Sequence, residues 1–308
     1  MSTPHPLAGI YAASLTPLDA DFSPDLESLP PYLAFLASRG CHGALLLGTT
    51  GEGPSFSPAE REAIFRAART VREEHPGFRL LAGTGTPSLQ ETIDLTRAAF
   101  EAGFDGVVVL PPYYFRKASD EGLFAWFDQV IRKAVPEGGY LLGYHIPGTS
   151  GVGLSLDLLA RLKEAHPQKF AGIKDSSHDA EHARALGERF GDDLLVLNGT
   201  DSFLGLALEA KAQGCITAPA NLISPDLRAV WEAARRGKPF SSIQARVSAA
   251  RHVLERYAPF PPILKALAAR LYGWPRWPVR PPLMPVPPEV EERAARELDE
   301  AMTSQSNG

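Results

Sequence analysis

Cysteine is scarce in this chain, which has only Cys41 and Cys215 among its 308 residues. One isolated pair gives neither a disulfide framework nor the spacing of a metal-binding motif, and it is typical of a reducing compartment. The first fifteen residues carry no lysine or arginine ahead of their apolar stretch, which argues against a secretory signal. No apolar run approaches the ~18 residues needed to cross a bilayer. We therefore expect a cytoplasmic protein that does not enter a membrane.

A basic block is also missing from the sequence. The 31 lysines and arginines stand against 36 aspartates and glutamates, and both signs are spread along the chain with a net charge of −5. Binding a run of phosphates requires clustered cations, so we expect no nucleic-acid partner. Hydrophobic residues make up 44% and charged residues 22%, which excludes disorder of the whole chain. The length allows one large domain or two ordinary ones.

Short apolar runs recur between residues 10 and 218, and they do not alternate apolar with polar positions. They lie at residues 10–15, 43–47, 79–82, 106–110, 140–144, 170–173, 194–197 and 215–218. Runs of this kind predict strands buried on both faces, as in a parallel sheet. Stretches with helical periodicity lie between them, and Ser57, Pro58 and Glu60 form the capping-box start of one such helix.

Eight strands that alternate with helices predict a (β/α)₈ TIM barrel. The alternative is an open doubly wound sheet. That fold usually has a glycine-rich dinucleotide turn after its first strand, where this chain has Thr16, Pro17 and Leu18.

The C-terminal part has a different pattern, without strand-like runs. Four amphipathic stretches predict helices there, so we expect a catalytic barrel over residues 1–223 and a C-terminal helical extension over residues 224–308. Residues 273–288 contain seven prolines. Trp274 and Trp277 are unusual in a flexible linker, and they predict an ordered, packed arm.

Polar residues follow three of the predicted strands, at the end where barrel enzymes carry their catalytic groups. Lys174 comes directly after an apolar run, and desolvation of an amine favours its neutral, nucleophilic form; the alternative is a lysine paired with Asp175. Tyr144 ends another run and suits a general acid–base group, or else a packed aromatic residue. The turn at residues 48–53 suits a carboxylate, or else is an ordinary glycine-rich loop.

Six motifs together carry a resemblance that covers nearly the whole chain. They are GTTGEG at 48–53, PPYYF at 111–115, GYHIP at 143–147, GIKDSS at 172–177, NGTD at 198–201 and RPPLMPVPP at 280–288. In this order and spacing, the chain resembles the dihydrodipicolinate synthase/N-acetylneuraminate lyase superfamily, which comprises class I pyruvate-type aldolases.

The resemblance implies a catalytic role for four residues. Lys174 would form a Schiff base with a 2-oxo acid, so that the covalent imine replaces any cofactor. Tyr144 would be the proton shuttle, with Thr49 and Tyr114 completing its relay. In this family the counterpart of Tyr114 comes from a neighbouring subunit, which implies a homotetramer built as a dimer of dimers.

The resemblance also implies a substrate-binding set. Thr50 would grip the carboxylate of the 2-oxo acid together with the backbone at Gly51. Gly199 and Ile216 match positions that line the same pocket. Thr149 would face the second substrate.

Thr149 is where the sequence departs from the family pattern. True dihydrodipicolinate synthases have an arginine at this place, which holds the carboxylate of aspartate semialdehyde, and a threonine cannot replace its bidentate contact. We therefore expect an aldolase for a 4-hydroxy-2-oxo acid, such as a 2-keto-3-deoxy sugar acid, 4-hydroxy-2-oxoglutarate or sialic acid. The alternatives are a sugar-acid dehydratase and a 4-hydroxy-tetrahydrodipicolinate synthase in which Arg116 or another basic residue supplies the cation. A non-catalytic 2-oxo acid sensor is a further alternative, disfavoured because the lysine, tyrosines and threonines are all present.

One other motif has the spacing of a metal site. His178 and His182 lie four residues apart, the separation that places two ligands on one helix face. No third ligand is evident from the sequence. We therefore expect a solvated helix face and no metal.

Overall fold

Eight parallel strands form a closed barrel in the computed structural model, which describes residues 4–303. The strands are β1 (Gly9–Ala13), β2 (Gly43–Leu46), β3 (Arg79–Gly83), β4 (Gly106–Val109), β5 (Tyr140–His145), β6 (Phe170–Asp175), β7 (Leu195–Asn198) and β8 (Gly214–Thr217). They pair in chain order, and β1 closes the barrel against β8. The predicted (β/α)₈ barrel is confirmed, and the doubly wound alternative is wrong.

Helices follow the strands and cover the outside of the barrel. They are α1 (Leu29–Ser38), α2 (Pro58–Ala68), α3 (Val71–Glu74), α4 (Leu89–Glu101), α5 (Asp120–Ala134), α6 (Pro147–Ser150), α7 (Leu156–Ala165), α8 (Ala180–Phe190), α9 (Leu204–Glu209), α10 (Ala220–Arg235), α11 (Ser241–Glu255), α12 (Phe260–Tyr272) and α13 (Pro288–Thr303). The capping box predicted for α2 is present: the Ser57 hydroxyl accepts from the Glu60 N–H, and the Glu60 carboxylate accepts from the Ser57 N–H.

Two apolar cores hold this architecture together. The smaller core fills the barrel and consists of inward-facing strand residues, among them Tyr11, Leu45, Leu142, Leu197 and Ile216. The larger core lies between the strands and the surrounding helices. Removing this apolar surface from water is the main favourable term for the fold.

The predicted boundary between residues 223 and 224 lies inside α10. At this point Ile223 has φ −116° and ψ 26°, which interrupts the helical geometry, and Pro225 follows. The outer ends of the two predicted units, residues 1–3 and 304–308, lie outside the described residues. The division into two units stays a prediction.

The proline-rich arm between α12 and α13 is ordered and packed, as predicted. Trp277 is buried. The rings of Trp274 and Trp277 lie edge-on to Tyr32 of α1, with centroid distances of 5.3 and 5.2 Å. The arm therefore packs against the barrel.

Cys41 and Cys215 are both buried and do not pair with each other. Across residues 4–303, none of the helices has the length and apolar character that a membrane crossing requires.

Candidate active site

Tyr144 and Lys174 are partners in the register of β5 and β6. Both strands extend beyond the apolar runs that predicted them, because the backbone pairing between strands continues past those runs. Lys174 also pairs with Leu197 of β7. Lys174 therefore lies inside β6 rather than directly after a strand. Its Nζ is 4.0 Å from the centroid of the Tyr144 ring, and both residues are buried. Within residues 4–303 its ammonium forms no ion pair, so the alternative of a pair with Asp175 is wrong.

The Tyr144 hydroxyl is surrounded by groups that stabilise its ionised form. It lies 3.4 Å from the Thr49 hydroxyl. Burial raises the pKa of Tyr144, but the nearby Lys174 ammonium lowers it. Hydrogen bonds with the side chains of Thr49, Lys174 and Ser176 lower it further, so the pKa lies below its usual value. Ser176 is a neighbour that sequence reasoning missed, although it belongs to the GIKDSS motif.

The turn after β2 brings Thr49 next to Tyr144 and also carries the predicted carboxylate-binding residues Thr50 and Gly51. Thr49 lines the same cavity as Tyr144, and the next residue, Thr50, is buried. The Thr16 hydroxyl donates to the Gly51 carbonyl at 2.8 Å. A Cβ on Gly51 would lie 2.8 Å from a backbone oxygen, so the chain needs glycine here. This packing fixes the path of the turn.

Gly199 and Ile216 lie on the far side of Lys174, at β7 and β8. The Gly199 N–H donates to the Asp175 carbonyl at 2.6 Å, and a Cβ on Gly199 would collide with the Ser176 hydroxyl at 1.9 Å. Ile216 is fully buried in the interior core that also contains Tyr144. Gly199 therefore lies beside the strand that carries the lysine, and Ile216 lies one strand further round the barrel.

Thr149 and Tyr114 lie at the rim rather than in the interior. Thr149 is exposed on the short helix α6, where its N–H donates to the Ile146 carbonyl. Tyr114 is 76% exposed, and its ring contacts Phe115 edge-on. Its hydroxyl has no hydrogen-bond partner in the described part of the chain. One chain therefore brings Thr49 and Tyr144 together without Tyr114.

Arg61 of α2 is a further residue that sequence reasoning missed. It lines the cavity shared by Thr49 and Tyr144. Its guanidinium donates to the Gly53 carbonyl at 2.6 Å and to the Phe56 carbonyl at 3.2 Å. In the sequence Arg61 has the pattern of an ordinary arginine in the first turns of a helix, so nothing in the sequence marks it as a residue of the site. It places a cation in the cavity wall.

His182 joins His145 and Asp175 in a group that the sequence did not reveal. One ring nitrogen of each histidine and one carboxylate oxygen of Asp175 all lie within 4.8 Å of one another. The expectation of two histidines on one helix face is wrong, because His178 precedes α8 and has a left-handed backbone with φ 59°. Residues that could serve as further metal ligands, His145 and Asp175, lie on β5 and β6.

The contacts of His145 occupy the ring nitrogen that a metal ion would need. The rings of His145 and His182 stack with centroids 4.6 Å apart and planes 16° apart. The Nδ1 of His145 accepts from the Leu154 N–H at 2.9 Å. Burial lowers the pKa of His145, which favours the neutral ring. A neutral His145 then carries its proton on Nε2 and has no second lone pair to offer a metal ion.

Known proteins resemble the chain over nearly its whole length. A model of the Dihydrodipicolinate synthetase family matches residues 6–301. An uncharacterized DapA-like lyase of Chloroflexus aurantiacus is 38% identical over 279 residues, which cover 90% of this chain and 91% of the relative. A 4-hydroxy-tetrahydrodipicolinate synthase of Synechococcus sp. (strain WH7803) is 32% identical over 288 residues, which cover 94% and 93%.

A solved structure shows the same architecture. YagE from E. coli K12, a prophage protein of the dihydrodipicolinic acid synthase family in complex with pyruvate, matches with a TM-score of 0.88 at 27% identity. The match covers 96% of this chain and 98% of YagE.

Proposed function

The chain belongs to the dihydrodipicolinate synthetase family of lyases, and we propose that it is a Schiff-base aldolase that cleaves or forms a 4-hydroxy-2-oxo acid. Pyruvate is the fragment common to both directions. The observation that carries the proposal is the buried Lys174 amine, which lies 4.0 Å from the centroid of the Tyr144 ring. The pyruvate complex of the related YagE supports pyruvate as the 2-oxo acid.

In the proposed mechanism, the imine is the electron sink. The Lys174 amine attacks the carbonyl carbon of the 2-oxo acid, and water leaves as the imine forms. The protonated imine nitrogen then accepts the electron pair of the C3–C4 bond, which breaks into an enamine and an aldehyde. Tyr144 takes the proton from the 4-hydroxyl group in this step. Protonation of the enamine carbon and hydrolysis of the imine release pyruvate and regenerate Lys174.

The turn at residues 49–51 is proposed to hold the substrate carboxylate. The Thr49 hydroxyl of this turn lies 3.4 Å from the Tyr144 hydroxyl, so a carboxylate bound by the turn would fix the imine beside the proton shuttle. Gly199 and Ile216 would form the opposite wall, where glycine at position 199 leaves space for the Ser176 hydroxyl. These positions support the substrate-binding set that the resemblance implies.

Tyr114 is proposed to act in the site of a neighbouring subunit of a homotetramer. Its exposure and the lack of a hydrogen-bond partner within residues 4–303 support this role, because the hydroxyl is free to reach a second chain. The adjacent Phe115 is 70% exposed, and two neighbouring exposed aromatic rings are typical of an interface.

Mixed oligomers of two inactive variants test this exchange of Tyr114. We expect Tyr114→Phe and Lys174→Ala to be inactive separately, and their hybrids to regain activity. A hybrid pair contains one complete site, formed by Lys174 of one chain and Tyr114 of the other, so its activity should approach half that of a wild-type pair. Co-expression with two tags and sequential purification isolates the hybrids for assay. Hybrids without activity would place Tyr114 in the site of its own chain.

Thr149 is proposed to select the second substrate. It is exposed, and a Cβ on the neighbouring Gly148 would meet no atom within 4 Å, so there is open space at this part of the rim. A neutral hydroxyl in this position favours a hydroxylated aldehyde over one with a carboxylate. No fixed cation at residue 149 meets such a carboxylate.

Thr149→Arg should move the specificity towards aspartate semialdehyde. A charge-assisted hydrogen bond contributes ~1.5–3 kcal/mol, so the relative kcat/KM for pyruvate with aspartate semialdehyde should rise roughly 10- to 150-fold. Cleavage of a neutral 4-hydroxy-2-oxo sugar acid should weaken. Thr149→Gln, which is long but uncharged, is the control and should not show the gain. Rates of condensation with the semialdehyde and with a panel of hydroxylated aldehydes measure the effect.

Arg116 favours a second candidate, a 4-hydroxy-tetrahydrodipicolinate synthase. A Cβ on Gly151 would lie 2.9 Å from the Arg116 Cδ, so this side chain packs on the loop that follows Thr149. Its guanidinium forms no ion pair within the described residues. The Synechococcus relative carries this name. Efficient dihydrodipicolinate formation by the wild type, removed by Arg116→Gln, would replace the aldolase proposal with this one.

A further inference from the structure

Glu52 carries a buried charge directly after the turn that contains Thr49 and Thr50. Its side chain is 0% exposed, so it does not touch a substrate in the cavity. Its backbone is left-handed, with φ 55° and ψ 26°, a conformation that residues other than glycine rarely adopt. The conformation at Glu52 therefore depends on contacts from elsewhere in the fold.

These contacts come from the C-terminal extension. The Lys265 Nζ of α12 donates to Glu52 Oε1 at 2.6 Å and to the Pro278 carbonyl at 2.7 Å. The Arg280 N–H donates to Glu52 Oε2 at 2.9 Å. The two partners stand 213 and 228 positions later in the chain, so one carboxylate joins the turn both to a helix of the extension and to its arm.

Glu52 is also joined directly to the turn. Its N–H donates to the Thr49 carbonyl at 3.2 Å, and the Gly53 N–H donates to the Gly48 carbonyl at 3.1 Å. A shift of Glu52 therefore moves the backbone that presents Thr49 and Thr50. Stability alone is a weak reason for a buried ion pair, because desolvation offsets most of the attraction between its charges.

We propose that Glu52, held by Lys265 and by the Arg280 N–H, is a positioning residue that keeps the turn of residues 49–51 in the shape that binds the carboxylate of the 2-oxo acid. The role of the turn rests on the proposed function. The C-terminal extension is then part of the substrate-binding machinery, because it supplies both partners of the carboxylate.

The test compares a substrate that has a carboxylate with one that lacks it. Glu52→Gln, Lys265→Met and the double variant are treated with borohydride and either pyruvate or acetaldehyde, and the Lys174 adduct is quantified by mass spectrometry. The double variant leaves no unpaired buried charge, so the trapping experiment can be carried out on it even if the single variants do not fold. We expect it to need about 10-fold more pyruvate for half-maximal trapping. Its trapping by acetaldehyde should match the wild type.

Glu60→Gln is the matched control. Glu60 forms an ion pair with the Arg280 side chain on the same arm, but it has no contact with residues 49–51. We expect its trapping curves for both compounds to match the wild type. A folded double variant with the wild-type pyruvate curve would overturn the positioning role. An equal loss of trapping by pyruvate and by acetaldehyde would also overturn it, because a general disturbance of the site does not depend on a carboxylate.

Hydrogen exchange separates this inference from the proposed function. A wild-type protein that forms neither adduct would show that the imine chemistry is wrong. The amides of residues 48–53 would then decide the role of Glu52, because their exchange does not depend on the reaction. We expect faster exchange there in the double variant than in Glu60→Gln. Equal exchange in the two variants would overturn the inference.

Discussion

Lys174→Ala will abolish both turnover and the borohydride-dependent pyruvyl adduct, while the barrel still folds. The amine supplies the electron pair that forms the imine, and the neighbouring Tyr144 cannot replace it as a nucleophile. The substitution leaves the backbone pairing of β6 with β5 and β7 unchanged, so the strand ladder stays intact. Mass spectrometry of the trapped and digested protein tests for the adduct, and kcat measures turnover. The thermal unfolding midpoint shows whether the barrel still folds.

Two lysine comparisons make the result specific to position 174. Lys174→Arg keeps the charge, but a guanidinium is not an amine nucleophile, so we expect it to be inactive as well. Lys265 of the wild type is also buried, but its ammonium donates to Glu52 and to the Pro278 carbonyl. The peptide that contains Lys265 should therefore carry no adduct. Substantial turnover by Lys174→Arg would contradict the imine mechanism.

The barrel could be predicted from the sequence because its strands and helices are signalled locally. A parallel strand that is buried on both faces requires an unbroken apolar run, and a helix start such as Ser57 with Glu60 needs only four residues. The contact of Tyr144 with Lys174 follows from the same signals. All strands of a barrel end at one face, so residues at the ends of neighbouring strands lie close together.

Contacts between distant segments could not be predicted in the same way. Lys265 stands in an amphipathic stretch and has the pattern of an ordinary helical lysine, while its partner Glu52 lies 213 positions earlier. The group formed by His182, His145 and Asp175 was missed for a related reason. It depends on the left-handed turn at His178, which the four-residue spacing of the histidines does not predict.

Tyr144→Phe will leave binding of the 2-oxo acid largely in place and slow turnover by roughly 10²–10⁴-fold, the range for a general acid–base group. The variant keeps the ring beside the Lys174 ammonium and removes only the hydroxyl that faces Thr49. The pyruvate dependence of borohydride trapping measures binding, and kcat measures proton transfer. The retained ring should keep trapping at its wild-type pyruvate dependence, and the lost hydroxyl should lower kcat alone.

Tyr11→Phe is the matched control for the loss of a buried phenol. Tyr11 is fully buried in the same barrel interior, and its hydroxyl donates to the Leu7 carbonyl at 2.9 Å. Loss of this hydrogen bond should lower the free energy of unfolding by about 1–3 kcal/mol and leave kcat near the wild-type value. A Tyr144→Phe variant with wild-type kcat would remove Tyr144 from the proton path. Turnover that a chelator abolishes and a divalent ion restores would point to a metal-dependent aldolase, because the imine alone accepts the electron pair in the proposed reaction.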